Sequence, residues 1–436
     1  MNGGSAVNGS LRVSFKWSSV VTMLLMAGAL SLTGRADAAS SITTLFSFKN
    51  SETGKNPWSS VVFDADGALF GTTHDGGAYG KGTVFKLSPP KSGSSAWVRK
   101  VVHDFRGGSD GDTPLVGLSK ASSGALYGTT DAGGGGSCSG GCGTVYELLP
   151  KADGGVKYSV VYRFKSVKDG SRTSARLVLK GGVLYGTTRT GGTEDKGTVF
   201  SLRKVDGNWT KKTLHSFVGG QNDGQYPAAG VVFGPDGALY GTTQTGGSDV
   251  GAHGVVFRLA QTGDGANAPW KVKLLHRFQG GADGEGPIAP VTFDGDGALY
   301  GTTPYGGEGP CYLACGTVFR LAPKSGGGWT WKTIYSFKHG EDGSFPRSGL
   351  ISDSSGALYG TTSKGGSGAS LGTVYKLTPP ATTSQPWMET VLHSFAGSPA
   401  DGATPFGELT LRKGVLYGTT RDGGANTFGT VFKLTR

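Results

Sequence analysis

Residues 349–395 read GLISDSSGALYGTTSKGGSGASLGTVYKLTPPATTSQPWMETVLHSF. Four short runs in this stretch have strand character: Gly349 to Asp353, Ala357 to Thr362, Gly372 to Leu377 and Glu389 to Phe395. Each is rich in β-branched or aromatic residues, and Gly, Pro, Ser and Asp fill the gaps between them. Ser354-Ser355-Gly356 is a tight turn between the first two runs. No long segment has helical periodicity. Short strands on short connections become antiparallel neighbours, so the stretch is one four-stranded unit.

The unit recurs seven times. LYGTT, or LFGTT in the first copy, centres on Gly71, Gly128, Gly186, Gly241, Gly301, Gly360 and Gly418, spaced 55 to 60 residues apart. GTVF or a close variant follows, beginning at Gly82, Gly143, Gly197, Gly254, Gly316, Gly372 and Gly429. An LHSF-like run ends at Phe48, Phe105, Phe164, Phe217, Phe278, Phe337 and Phe395. Seven four-stranded units predict an all-β, seven-bladed β-propeller, which covers both faces of each sheet and leaves few open edges. A linear β-solenoid is the competitor, but its rungs are nearer 20 to 30 residues. The chain opens with a lone LHSF-type strand, Ile42 to Phe48, and closes with Gly429 to Leu434. The preferred frame therefore places the first strand of each unit on the central channel and LHSF outermost. The N-terminal strand then completes the last blade. The other frame makes LHSF innermost and every blade contiguous in sequence.

Composition agrees with a packed β-protein. Of 436 residues 80 are Gly, only 17% are charged and 10% are aromatic, which excludes collagen-like and disordered chains. Residues 1–38 have the three-part pattern of an export signal: basic Arg12 and Lys16, an apolar stretch from Val20 to Leu32, and small residues at Ala36 and Ala38. A membrane anchor is the alternative, but the apolar run is short of the ~18 to 20 residues that span a bilayer. Cleavage is expected after Ala38 or Ala39, leaving a single propeller domain over 39–436 with 39 basic and 30 acidic residues. The basic residues form no runs, so nucleic acid is not expected as a partner, and neither is a membrane span after cleavage. The mature protein is read as a monomer without cofactor or metal, in the periplasm or outside the cell.

The four cysteines form two C-x3-C pairs, Cys138 with Cys142 and Cys311 with Cys315. In an oxidising compartment an even count favours local disulfides. Zinc is the rival reading, but these loops lack nearby His and the spacing is unusual for it.

LYGTT, a Gly-Gly loop, GTVFKL and W…LHSF together resemble the GloVer tandem-repeat family of exported bacterial proteins, over nearly all of Ile42 to Arg436. The resemblance implies export and a repeat fold, and no established activity comes with it. That family is associated with varied C-terminal anchors. No sorting tail follows Leu434 here, so secretion or a periplasmic location is expected over surface attachment.

In a repeat protein, residues shared by all copies are architectural. His103, His215, His276 and His393 share their repeat position with Phe46, Tyr162 and Tyr335, so a flat ring is expected to matter there, not a proton carrier. The Thr-Thr pairs are expected to satisfy buried hydrogen bonds. Asp64-Ala65-Asp66-Gly67 and Asp294-Gly295-Asp296-Gly297 look like pieces of a calcium loop but lack its later ligands, so they are read as hairpin turns. The Asp-Gly pairs at Asp110, Asp169, Asp223, Asp283, Asp342 and Asp401 are likewise read as turns, with a cation-binding acidic ring as the alternative.

In an antiparallel meander, the Asp-Gly connections and the Gly-Gly loops after LYGTT lie on one face. Binding groups belong on such loops. The residues that break the symmetry there are Tyr79, Arg189, Tyr305, Tyr312, Arg347, Lys364 and Arg421, a set suited to sugars or anionic polymers. No Ser-His-Asp set, HExxH or phosphate loop stands out. The leading expectation is a non-catalytic binding module for a carbohydrate or an envelope protein. The alternatives are a polysaccharide hydrolase or lyase on a propeller scaffold, and a structural component of a surface assembly. An enzyme would gather acidic, His or Tyr side chains as a proton-transfer pair at one end of the channel. A binder would show aromatic and basic groups without one.

Overall fold

The computed structural model describes residues 40–436, except 50, 152–154, 174, 250, 264, 266–267, 313 and 383. The export-signal reading of residues 1–38 falls outside the described residues. Seven four-stranded antiparallel sheets are present. Blades 1 to 5 occupy 62–104, 119–163, 178–216, 232–277 and 292–336. Blade 6 is built from Ile351–Ser352, Leu358–Thr362, Thr373–Thr378 and Met388–Ser394, in that order across the sheet. Its first strand is shorter than the sequence suggested, because the preceding Arg347-Ser348-Gly349 lines the channel instead of joining the ladder. Among the described residues the helical pieces are four three-residue 3-10 turns, and none is long and apolar enough to cross a membrane.

Blade 7 takes Thr410–Arg412, Val415–Thr420 and Thr430–Thr435 from the C-terminus and Ser41–Ser47 from the N-terminus. The N-terminal strand pairs antiparallel along the whole last strand, from Ser41 opposite Thr435 to Ser47 opposite Thr430. The chain's two ends thus meet in one sheet, and the LHSF strand is outermost, as the preferred frame requires.

The repeated motifs build the contacts between blades. The Phe ending each LHSF run meets the GTVF aromatic of the next blade edge-to-face. Phe105–Tyr146, Phe164–Phe200, Phe217–Phe257, Phe278–Phe319, Phe337–Tyr375, Phe395–Phe432 and Phe48–Phe85 all lie 5.1 to 5.4 Å apart between ring centroids. The last pair joins blade 7 to blade 1, so the ring is closed. Such pairs contribute about 0.5–1.5 kcal/mol beyond their buried area. The LYGTT glycine makes room for the same aromatic: a Cβ on Gly71 would lie 2.6 Å from Phe85 Cζ. The first Thr of LYGTT reaches the next blade. Thr72, Thr129, Thr187, Thr242 and Thr302 donate to the carbonyls of Val116, Ala175, Ala229, Ala289 and Ser348, and Thr419 closes the circle on Ser59 at 2.8 Å. The second Thr pairs with the Thr of GTVF within its blade, as in Thr73 with Thr83 at 2.9 Å.

The ring at the LHSF position does more than fill space, which corrects the expectation. His103, His215, His276 and His393 each set Nε2 2.8 to 3.0 Å from the carboxylate of Asp110, Asp223, Asp283 or Asp401. Tyr162 and Tyr335 donate their hydroxyls to Asp169 and Asp342 at 3.0 Å. A backbone N–H caps each carboxylate as well, from Arg106, Lys165, Val218, Gln279, Lys338 and Ala396. The Asp of each Asp-Gly pair is therefore an anchor as well as a turn residue. The exception supports this: Phe46, which has no donor, belongs to the copy where Thr53-Gly54 replaces Asp-Gly.

The outer-strand residue opposite the GTVFKL leucine packs onto this couple from the following blade. Tyr158 stacks on His103 at 3.5 Å and Trp331 on His276 at 3.6 Å. Lys211, 4% exposed, places Nζ 3.2 Å from Asp169. Blade 6 puts Glu389 at this position, opposite Leu377, where the Asp342 charge acts on it.

The two acidic turns are hairpins, with Asp64 Oδ1 and Asp294 Oδ1 each accepting from the N–H four residues on at 2.8 Å.

Candidate functional site

The Gly-Gly loops and the connections between blades share one face. In six blades the second glycine donates its N–H to a connection carbonyl, as in Gly77 to Ser51 and Gly424 to Asp401, at 2.6 to 2.9 Å. On this face each blade is joined to the one before it through a residue with left-handed backbone. Asn56, Thr113, Arg172, Tyr226, Phe345 and Thr404 have φ between 54° and 61°, and Gly286 has 64°. Their N–H groups donate to Phe428, Lys81, Cys142, Lys196, Cys315, Leu371 and, for Gly286, His253, at 2.7 to 3.2 Å. Left-handed backbone costs a non-glycine residue about 1 kcal/mol or more. Only that conformation turns the N–H to the preceding blade while the chain continues into the channel.

Both cysteine pairs are disulfides, Cys138–Cys142 and Cys311–Cys315. A disulfide closing so short a loop removes little chain entropy and by itself stiffens only that loop. Their placement gives them more: Cys142 and Cys315 are fully buried and supply two of the seven joining carbonyls. The disulfides fit an oxidising compartment, periplasmic or extracellular.

Just inside this ring the chain lines the channel in layers. The outermost layer includes Trp58, Leu115, Ala228, Ile288, Arg347 and Phe406. The next is small: Ser59, Val116, Ala175, Ala229, Ala289, Ser348 and Gly407. Below it Arg176 Nη1 and Glu408 Oε2, from blades 3 and 7, form an ion pair at 3.1 Å. They line both the upper recess of about 100 Å³ and a lower one of about 220 Å³, so they form the floor between the two.

The mouth is asymmetric. Trp58 stacks between His74 and Phe406, with centroids 4.5 and 5.2 Å away and planes within 27°. The Arg421 guanidinium lies 5.6 Å from the Trp58 ring and 5.9 Å from Phe406. Arg347 lies 5.7 Å from Phe406 and 5.9 Å from Tyr305, to whose hydroxyl its Nη2 donates at 3.3 Å. Cation–π contact of this kind contributes about 0.5–2 kcal/mol. Among the described residues, Arg347 has no carboxylate at ion-pair distance, and Trp58 Nε1 has no hydrogen-bond partner. The far side of the mouth is self-paired: Arg172 binds Asp131 at 3.3 Å, and Arg189 donates to Gln244 at 3.0 Å. Burial pushes the Asp131 carboxyl up, against the pull of Arg172 and Arg189.

Of the seven residues singled out from sequence, the structure gathers Tyr305, Arg347 and Arg421. Arg189 lies on the rim with Gln244. Lys364 is exposed beside Ser344. Tyr79 and Tyr312 are at loop tips, 53% and 99% exposed, with Tyr79 against Arg106. Trp58, Phe406, His74, Arg176 and Glu408 were missed. Aligning the copies two residues after the left-handed position would have found the first two. That alignment gives Trp58, Leu115, Ser174, Ala228, Ile288, Arg347 and Phe406, the least uniform column of the channel.

The opposite face has a larger recess, about 840 Å³, between blades 5 and 6. Its polar groups largely satisfy one another. Tyr300 donates to Asp294 at 3.0 Å, Arg320 donates to Tyr300 at 2.9 Å, and Asp353 accepts from Tyr359 and Arg436. Among the described residues no group of three His, Cys, Asp or Glu side chains is placed to hold a metal ion.

Solved structures match the chain at low identity. A putative oxidoreductase (glucose dehydrogenase) from Thermus thermophilus is 15% identical, with a TM-score of 0.39, over 91% of this chain and 100% of that one. The polysaccharide lyase Uly1 is 12% identical, with a TM-score of 0.49, over 90% of this chain and 92% of that one. PorZ, a surface component of the type-IX secretion system of Porphyromonas gingivalis, is 13% identical, with a TM-score of 0.49, over 88% of this chain and 47% of that one. No curated protein sequence matches the chain. The model of the Gloeobacter/Verrucomicrobia repeat matches three overlapping stretches, 32–148, 135–327 and 267–436, which run through all seven blades. With its motifs, blade count and ring closure in agreement, the chain belongs to the Gloeobacter/Verrucomicrobia repeat family.

Proposed function

We propose that this protein is an exported, non-catalytic carbohydrate-binding propeller whose site is the loop-face mouth of the channel. The observation that carries the reading is the His74–Trp58–Phe406 stack flanked by Arg347 and Arg421. Sugar rings present apolar C–H faces that lie on aromatic planes, and their hydroxyls accept hydrogen bonds from guanidinium groups. The acid at the channel floor, Glu408, is held in an ion pair with Arg176 at 3.1 Å. The signal-like residues 1–38 and the two disulfides support delivery to the periplasm or beyond.

A glycan array probed with the full chain tests this. Binding to a subset of glycans is expected, with Phe406→Ala and Trp58→Ala each weakening it several-fold to about tenfold, at roughly the 0.5–1.5 kcal/mol scale of an aromatic contact. Cleavage of a polysaccharide by the same preparation, or binding unaffected by both substitutions, would overturn the reading.

A further inference from the structure

Arg347 is held in place at the mouth with most of its hydrogen-bonding capacity unused. A guanidinium has five N–H donors in a planar fork. The one polar contact shown for Arg347 is a long bond to the Tyr305 hydroxyl, and Phe406 and Tyr305 flank it. Arg421, across the same Phe406 ring, is only loosely tied to Asp422, at 3.5 Å. Three other cations on this face have carboxylate partners: Arg172 with Asp131, Arg176 with Glu408 and Lys81 with Asp112. The two arginines beside the aromatic stack therefore favour a ligand that brings its own negative charge. The geometry also limits how the ligand enters. The recess lined by the aromatic layer and the small residues below it encloses about 100 Å³ and ends on the Arg176–Glu408 pair. A polymer cannot thread through that floor, so a chain would present its end.

Resting on the carbohydrate reading above, we propose that the mouth recognises the carboxylate-bearing terminal residue of an acidic glycan, a hexuronate end. The carboxylate lies on the Arg347 fork, with Arg421 on the other side of Phe406. The apolar face of the sugar lies against Phe406, which Trp58 backs from behind. Planar bidentate pairing is the reason for arginine here: a lysine would supply charge without the fork.

The test is an NMR titration of the full chain with methyl β-D-glucuronoside, methyl β-D-glucoside and acetate, on the unmodified protein and on Arg347→Gln, Arg347→Lys and Arg421→Gln. Unchanged thermal unfolding will show that the variants are folded. The glucuronoside should bind about tenfold or more tighter than the glucoside, and Arg347→Gln should weaken the glucuronoside far more than the glucoside, bringing the two within about twofold of each other. Arg347→Lys should recover only part of the loss. Equal binding of the two glycosides, or glucuronoside binding that survives both glutamine variants, overturns the carboxylate assignment and leaves the carbohydrate reading standing. Acetate binding as tightly as the glucuronoside overturns the role given to the sugar ring. Binding of neither glycoside overturns the hexuronate end, and an empty glycan array would take the carbohydrate reading with it as well.

Discussion

Replacing Glu389 with Gln should make the protein less sensitive to alkaline pH. At the register position where blade 3 uses Lys211 to meet Asp169 at 3.2 Å, blade 6 sets an acid against Asp342. Asp342 Oδ1 and Glu389 Oε1 are buried and have no hydrogen-bond partner among the described residues. Burial first, and then the charge of Asp342, push the Glu389 carboxyl up from 4.5 to about 7. Burial also raises Asp342, against the pull of the Lys338 N–H and the Tyr335 hydroxyl. A folded-state value above the unfolded one means that the folded protein holds the proton more tightly. The contribution of Glu389 is therefore fully present below pH 4.5 and is lost as pH rises through 7. At 1.36 kcal/mol per unit the full linkage would be about 3 kcal/mol. Partial solvent exposure of Glu389 screens this to ~1–2 kcal/mol. Urea unfolding at pH 5 and pH 8 measures it. Relative to the unmodified chain, Glu389→Gln should be ~1–2 kcal/mol less sensitive to the rise in pH, and Glu389→Lys should gain stability at pH 8 by restoring the pairing seen at Lys211. If Glu389→Gln loses as much stability between the two pH values as the unmodified chain does, the reasoning is wrong.

Two further substitutions probe the ring itself. Gly71→Ala sets a methyl 2.6 Å from Phe85 Cζ and should cost about 1–3 kcal/mol in chemical denaturation, with Phe85→Leu in the same chain returning part of the loss. Thr419→Val removes the bond to the Ser59 carbonyl that seals blade 7 to blade 1 and should cost about 1–2 kcal/mol, whereas Thr419→Ser should cost clearly less.

The count of blades and the position of the seam were legible because packing between identical neighbours demands the same residue seven times. Every LYGTT glycine faces the aromatic of its own blade's GTVF, and every LHSF phenylalanine meets the next blade's aromatic, so both motifs recur at a fixed period. The role of the Asp-Gly pairs was half legible. The exchange among His, Tyr and Phe was visible, but its link to Asp or Thr seven or eight residues later shows only when the two columns are read together. The mouth was the least legible part. Trp58 and Phe406 come from near opposite ends of the sequence and touch only because the ring closes. Arg347 could be picked out as an irregular residue, but no repeat signal tied it to Phe406, since a site that breaks symmetry has no period to betray it.

At the centre of every joint on the loop face is a main-chain N–H to C=O bond. Asn, Thr, Arg, Tyr, Gly and Phe all serve there, and the side chains two residues further on are equally free to vary. Architecture and recognition are thereby uncoupled: each joint needs only a main-chain N–H and C=O, which every residue but proline has, while the inward-facing slots can change identity independently. Relatives built on the same scaffold should therefore differ most in these slots, giving each a different specificity on an unchanged wheel.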